Sequence, residues 1–261
     1  MLYEPSSQIS PEQSEGMLLG GMDTKTPDGY RRVSLTELRA LYGTYMNQDN
    51  LHMPMAQYLA MQLDIVRSLT SYKGVHVCKN PMDSWVFQEI IYERKPNVII
   101  EIGNQGGGST MMLSDHLFDS EIDDAKYVIG IDISRERLHP KAKGWHGIKW
   151  IDGDACDPAI FEQVVALIEP TDRVMIIDDS SHEYESTLNI LRTFGPLVKQ
   201  GQYFIVEDTM IGAFIPFGEE RIRANEAVDT FMEETDDFVV DRKPEKWFIT
   251  LNPGGYLEKV R

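Results

Sequence analysis

Five short apolar runs in this chain each finish in, or within a few residues of, a carboxylate. Residues 97–101 end in Glu101 and residues 127–132 in Asp132. Residues 148–151 lead into Asp152 and Asp154, 174–177 into Asp178 and Asp179, and 203–206 into Glu207 and Asp208. Continuous apolar runs of this length, separated by helical stretches, read as strands of a parallel sheet buried on both faces. The expected fold class is therefore α/β, a doubly wound, mostly parallel sheet. Ligands of such sheets bind outside the carboxyl ends of the strands, so the acids gather on the binding edge. Like charges packed together repel and need cations or hydroxyl donors to hold them. A nucleoside ribose with a divalent metal would supply both.

The 261 residues are 42% hydrophobic, enough for one substantial core. A formal net charge of -17 repels phosphate backbones and anionic lipid, which argues against nucleic-acid and membrane partners. Cys78 and Cys156 have no C-x-x-C spacing. A disulfide framework and a structural zinc site are not expected, and a cytoplasmic location fits best. The first residues lack the pattern of a secretory signal, and no apolar run approaches the ~20 residues of a membrane span.

Three regions are expected. Residues 1–32, polar and punctuated by Ser, Pro and Gly, read as a flexible arm. Residues 33–95 read as a helical extension. Ser34 stands three residues before Glu37, a capping-box spacing, and Met55, Leu59, Leu63 and Val66 share one face of a helix over about 52–70. A turn and short extended segment follow at 72–81, then a helix through Phe87, Ile90 and Ile91 that Pro96 ends. Residues 96–261 form the catalytic domain. Its helix after the fourth strand carries Leu188, Leu191, Phe194, Leu197 and Val198 and stops at Gly201. Another helix starts within 219–227. Residues 237–241 and 246–251 read as an antiparallel pair, joined at Pro244, that closes one edge of the sheet.

Glu101, Gly103 and the glycines at 106–108 lie between a strand and a helix, where glycine lets backbone approach a ligand. Gln105 occupies the second glycine position of the dinucleotide fingerprint, and an acid precedes the turn. This suits a ligand with a positive group and no pyrophosphate, as in S-adenosylmethionine. Asp132 can accept both ribose hydroxyls, and Asp154 is placed to help fix the adenine end. With Asp178, at the end of the fourth run, the cofactor-binding candidates are Glu101, Gly103, Gly106, Ser109, Asp132, Asp154 and Asp178.

Asp179 and His182 follow the fourth run, and Glu207 and Asp208 follow the fifth, one strand-helix-strand step later. Both loops emerge on the same edge. Three carboxylates, Asp179, Glu207 and Asp208, suit a hard cation such as Mg²⁺. A hydroxyl bound to that metal loses its proton more readily, with His182 as general base. The segment 210–218 would roof the pocket, with Phe214 and Phe217 either stacking on an acceptor or packing on the sheet. The acidic site favours neutral or cationic acceptors.

Several short motifs in order resemble a known family. They are Lys73-Gly74, Lys79-Asn80-Pro81-Met82-Asp83, Ile100-Glu101-Ile102-Gly103, Asp178-Asp179-Ser180-Ser181-His182, the run from Gly201 to Thr209, and Leu251-Asn252-Pro253-Gly254-Gly255-Tyr256-Leu257. Over about residues 70–261 the chain resembles the cephalosporin hydroxylase / rhamnosyl O-methyltransferase family. The resemblance implies a class I S-adenosylmethionine fold and Mg²⁺-dependent methylation of a small-molecule hydroxyl, on a natural product or sugar. It implies metal ligation by Asp179, Glu207 and Asp208, catalysis by His182 with Asp179, cofactor contacts at Glu101, Gly103, Ser109 and Asp132, and a homo-oligomer. Two alternatives stay open: a nucleotide-cofactor oxidoreductase or hydroxylase, which NAD would stabilise, and a non-catalytic adenosyl-ligand-binding protein without metal dependence.

Overall fold

The computed structural model describes residues 24–26, 29–31, 55–214 and 223–261. The capping box at Ser34, Phe217 and residues 219–222 lie outside the described residues, as do the side chains of Met55 and Phe214. The chain divides into two compact units, 1–79 and 80–261.

The first unit contains a two-stranded hairpin, β1 (Thr24–Thr26) and β2 (Gly29–Arg31), within the stretch that reads as an arm. Helix α1 (Met55–Leu69) follows. A second hairpin, β3 (Ser71–Tyr72) and β4 (Val75–His76), turns on Lys73 and Gly74, both at positive φ (48° and 83°). That is the backbone twist favoured by two-residue hairpin loops.

The second unit opens with α2 (Pro81–Arg94). Asn80 caps it by accepting the Met82 amide, Pro81 fills the first turn, and Val86, Phe87, Ile90 and Ile91 are buried. The sequence reading groups this helix with the extension, but in the structure it falls in the unit that holds the sheet. All five acid-tipped runs are strands: β5 (Val98–Ile102), β6 (Tyr127–Asp132), β7 (Ile148–Asp152), β8 (Val174–Asp178) and β9 (Tyr203–Val206). Every residue of β5, β8 and β9 is buried, as a two-face-covered parallel strand requires.

The helices between them are α3 (Gly108–Asp119), α4 (Pro140–Lys143), α5 (Pro158–Val165) and α6 (Tyr184–Phe194), and α7 (Thr209–Phe214) follows β9 directly. After β9 come α8 (Ala224–Glu234), β10 (Phe238–Val240) and β11 (Tyr256–Lys259). The seven-stranded sheet runs β10-β11-β9-β8-β5-β6-β7, parallel from β9 to β7, with β11 antiparallel between β9 and β10. The fold is α/β with an antiparallel C-terminal edge.

One core gathers Val98, Ile100 and Ile102 of β5 with Ile160 and Val164 of α5, Leu188, Leu191 and Phe194 of α6, and Val228 and Phe231 of α8. Alternation along β5 turns Ile99 and Glu101 to the opposite face, which α3 covers with α2 packed on it. Burying each large apolar side chain stabilises the fold by roughly 1.5–3 kcal/mol.

Two sequence expectations need correction. The second strand of the C-terminal pair is 256–259, not 246–251. Residues 243–245 form a 3-10 turn, Phe248 sits 95% exposed at positive φ (59°), and 250–252 are drawn into a buried polar network instead of a ladder. The helix after the fourth strand ends at Phe194 and passes into a 3-10 turn over Gly195–Leu197, because Pro196 has no amide hydrogen with which to continue the helical ladder. Leu197 and Val198 still pack on the core from beyond the helix.

Candidate active site

The chain reverses its winding direction between β5 and β8: β6 lies on one side of β5, and β8 on the other. Ligands of open α/β sheets bind in the crevice at such a switch point. Here the loops after β5 and β8 are in backbone contact. The Asp179 amide donates to the Ile102 carbonyl (2.8 Å), and a Cβ added to Gly103 (φ 90°) would lie 2.1 Å from the Asp179 carbonyl oxygen. Only glycine fits there.

The turn after Gly103 is braced from two sides. Below it, fully buried Glu101 accepts from the Asn104 side-chain amide (3.0 Å) and the Thr110 hydroxyl. Beside it, Asp132 Oδ2 accepts from the amides of Asn104 and Gln105, both at 2.8 Å. Gln105 is itself left-handed (φ 45°). Gly107 (φ 82°) immediately precedes α3 at its cap, where a Cβ would meet Leu138 and Ala142 at 2.7 Å. The Gly106 carbonyl accepts the His139 amide (3.1 Å), and Ser109 is buried in the first turn of α3. The structure thus brings Gly103, Gly106, Ser109 and Asp132 to one turn, with Glu101 beneath it. Asp154 lies apart, after edge strand β7. It is exposed and accepts the Cys156 amide (2.9 Å), a side-chain turn that leads toward α5.

On the other side of the crevice, β8 ends in buried Asp178, which accepts from the Ser180 hydroxyl (2.6 Å) and amide (3.2 Å). Burial pushes its carboxyl up to about 6, against the pull of the Ser180 hydroxyl and nearby His182. Asp179, His182 and Asp208 converge above it. His182 Nε2 lies 3.7 Å from Asp179 Oδ1 and 3.5 Å from Asp208 Oδ2, and one ligand atom from each of the three falls within 4.8 Å of the others. Ligands bound to one divalent ion at about 2.0–2.4 Å must be about this close, and two carboxylates with an imidazole are suitable donors. All three side chains are partly shielded yet reachable from solvent.

His182 and Asp208 both sit at φ 57°. Left-handed backbone is uncommon outside glycine, and such conformations collect at functional sites. Among the described residues the convergent group holds His182 where the sequence reading places Glu207. Glu207 continues the line of β9, its side chain buried and its amide bonded to the Asp178 carbonyl (2.9 Å). The left-handed turn comes one residue later and presents Asp208. Sequence reasoning also gave no task to Asn252, whose buried side-chain oxygen accepts the Asp208 amide (2.9 Å). The available signal was the Asn-Pro-Gly-Gly motif, whose turn chemistry marks a built loop.

Comparison with known proteins identifies the family. Residues 65–260 match the family model for rhamnosyl O-methyltransferase/CmcI. The rhamnosyl O-methyltransferase of Mycobacterium bovis is 31% identical over 199 residues, covering 74% of this chain and 80% of that one. The Mycobacterium leprae protein of the same name is 29% identical over 197 residues, covering 74% and 85%. A CmcI apo-structure superposes with a TM-score of 0.59 at 26% identity, covering 84% of this chain and 88% of that one. A CmcI structure with Mg and S-adenosylmethionine superposes with a TM-score of 0.60 at 23% identity, covering 92% and 89%. The chain belongs to the rhamnosyl O-methyltransferase/CmcI family and is an O-methyltransferase with the S-adenosylmethionine-dependent methyltransferase fold.

Proposed function

We propose that the protein transfers a methyl group from S-adenosylmethionine to a hydroxyl of a small natural product or sugar, with a divalent cation, Mg²⁺ first, in the site. The observation that carries this reading is the convergence of Asp179, His182 and Asp208 across the crevice from the glycine turn. When bound, the cation supplies positive charge that eases loss of the hydroxyl proton, and the sulfonium supplies the methyl group. Asp179 and Asp208 would hold the cation. The glycine turn lets backbone approach the cofactor, Asp132 accepts from its ribose, and Glu101 keeps the turn in shape. His182 stands where a proton from a hydroxyl arriving between the carboxylates can be taken up. Holding acceptor and methyl donor in one crevice contributes by orientation.

The position of His182 Nε2 between the two carboxylates favours a second version of the same site, in which His182 is a ligand and Glu207 is not. His182→Ala separates the versions. A base leaves metal affinity intact and lowers the methylation rate by about 10²–10⁴-fold. A ligand takes metal affinity down with the rate. The name of the mycobacterial relatives makes rhamnosides the first acceptors to screen, by transfer of labelled methyl with and without Mg²⁺. Metal-dependent labelling of a neutral glycoside or polyketide hydroxyl supports the reading. Retention of NAD in place of S-adenosylmethionine contradicts it. A homo-oligomer, the state that the family resemblance implies, is part of the proposal, and its test is light scattering of the purified chain.

A further inference from the structure

Two motifs of the chain, Asn80-Pro81-Met82-Asp83 and Leu251–Tyr256, have no task in the reaction outlined above, yet they meet in the interior. Asp83 sits in the first turn of α2, 2% exposed. An acid three residues past a helix cap ordinarily turns back toward the cap amide. Both oxygens of Asp83 reach instead into the loop 250–256. Oδ1 accepts from the Thr250 hydroxyl (2.6 Å) and the Tyr256 hydroxyl (3.0 Å), and Oδ2 accepts the Leu251 amide (2.9 Å). The Thr250 oxygen in turn accepts the Asn252 amide (3.0 Å).

That loop grips the segment carrying Asp208 at four points. Asn252 Oδ1 accepts the Asp208 amide (2.9 Å), and the Pro253 carbonyl accepts the Thr209 hydroxyl (2.9 Å). The Leu251 carbonyl accepts the Met210 amide (3.0 Å), and the Gly255 carbonyl accepts the Val206 amide (2.8 Å). A Cβ on Gly255 would stand 2.1 Å from the Val206 carbonyl oxygen, so loop and strand end are in direct contact. Asp208 needs such support because its backbone is left-handed (φ 57°).

We infer that Asp83 is a positioning residue for the metal site: it fixes the loop 250–256, which holds Asp208 in the left-handed turn that aims its carboxylate at Asp179 and His182. The inference rests on the metal-site reading of those three residues. A residue acting this way touches neither metal nor substrate, and its loss is felt in metal affinity before cofactor affinity.

The test is titration of Mn²⁺ into the full chain, followed by calorimetry and by the electron-spin signal of the free ion, alongside S-adenosylhomocysteine titration without metal. The variants are Asp208→Asn, Asp83→Ala, Thr250→Val, Thr250→Ser and Tyr256→Phe. Asp83→Ala and Thr250→Val are expected to weaken Mn²⁺ binding by about tenfold or more, with S-adenosylhomocysteine affinity near wild type. Thr250→Ser, which keeps the hydroxyl, restores Mn²⁺ binding, as a merely volume-filling role would not require. Should Asp83→Ala fail to fold, Thr250→Val and Tyr256→Phe, each losing a single hydroxyl, carry the test. Wild-type Mn²⁺ affinity in folded Thr250→Val and Asp83→Ala, with binding lost in Asp208→Asn, overturns this inference and leaves the metal site standing. No Mn²⁺ binding by the wild type overturns both.

Discussion

At the residue scale, the site depends on a few positions that tolerate no change of side chain or charge. Gly103 combines φ 90° with an approach of 2.1 Å between a would-be Cβ and the Asp179 carbonyl. Gly103→Ala is therefore expected to destabilise the fold by about 2 kcal/mol or more and to weaken cofactor and metal binding together. Urea denaturation with both ligand titrations checks this; a neutral variant would mean that the two loops are not held in contact. Asp83 and Asp178 add a pH dependence. Burial is the main cause at both, pushing each carboxyl up to about 6. Bonds from Thr250, Leu251 and Tyr256 pull Asp83 back, and the nearby Asp208 charge adds to the rise. An unfolded aspartate titrates near 3.9, so the folded chain binds these protons more tightly. Their stabilisation is full below about pH 4 and is lost as the pH rises through about 6, on the order of 3 kcal/mol for each. Without metal, the denaturation midpoint is expected to fall between pH 4.5 and pH 7, and less so in Asp83→Asn. A midpoint that rises over that range, or the same slope in the variant, contradicts this.

At the element scale, the strands were legible because a run buried on both faces has a simple signature, apolar throughout and stopped by a polar loop. The acids at their ends were legible for the same reason, since topology alone brings them to one edge. The C-terminal edge was harder. Residues 246–251 carry strand-forming side chains, but the ladder partner of β10 is 256–259, and what decides this is the burial of Thr250, Leu251 and Asn252 around Asp83. A contact between residues nearly 170 positions apart leaves no local periodic trace. That His182 and not Glu207 stands with Asp179 and Asp208 among the described residues was hidden for a related reason: His182 and Asp208 share a left-handed backbone that no local pattern in the sequence announces. Helix α2 offers a contrast with Asp83. Asn80 caps it through one bond to the Met82 amide (2.9 Å). Asn80→Ala is expected to cost about 1 kcal/mol in denaturation while leaving metal affinity unchanged. A loss of metal binding in that variant would make the effect of Asp83 one of helix stability alone.

At the scale of the whole molecule, the sheet places a glycine turn and a carboxylate-imidazole group at one switch point, in a chain whose net charge is -17. Such a field attracts divalent cations and disfavours multiply anionic acceptors. Among the described residues no helix is long and apolar enough to cross a membrane. Cation affinity is expected to fall as ionic strength rises from 20 to 200 mM (about three- to tenfold), because the diffuse part of the field is screened. A salt-independent affinity would assign binding to the site alone. The central claim is that S-adenosylmethionine and a divalent cation occupy opposite sides of this one crevice. The most direct measurement is calorimetric titration of S-adenosylhomocysteine, with and without Mg²⁺, into wild type and Asp179→Asn. The account predicts micromolar cofactor binding by both proteins and a Mg²⁺ heat that the variant loses. Absence of cofactor binding in the wild type, or a Mg²⁺ heat that survives in Asp179→Asn, would contradict it.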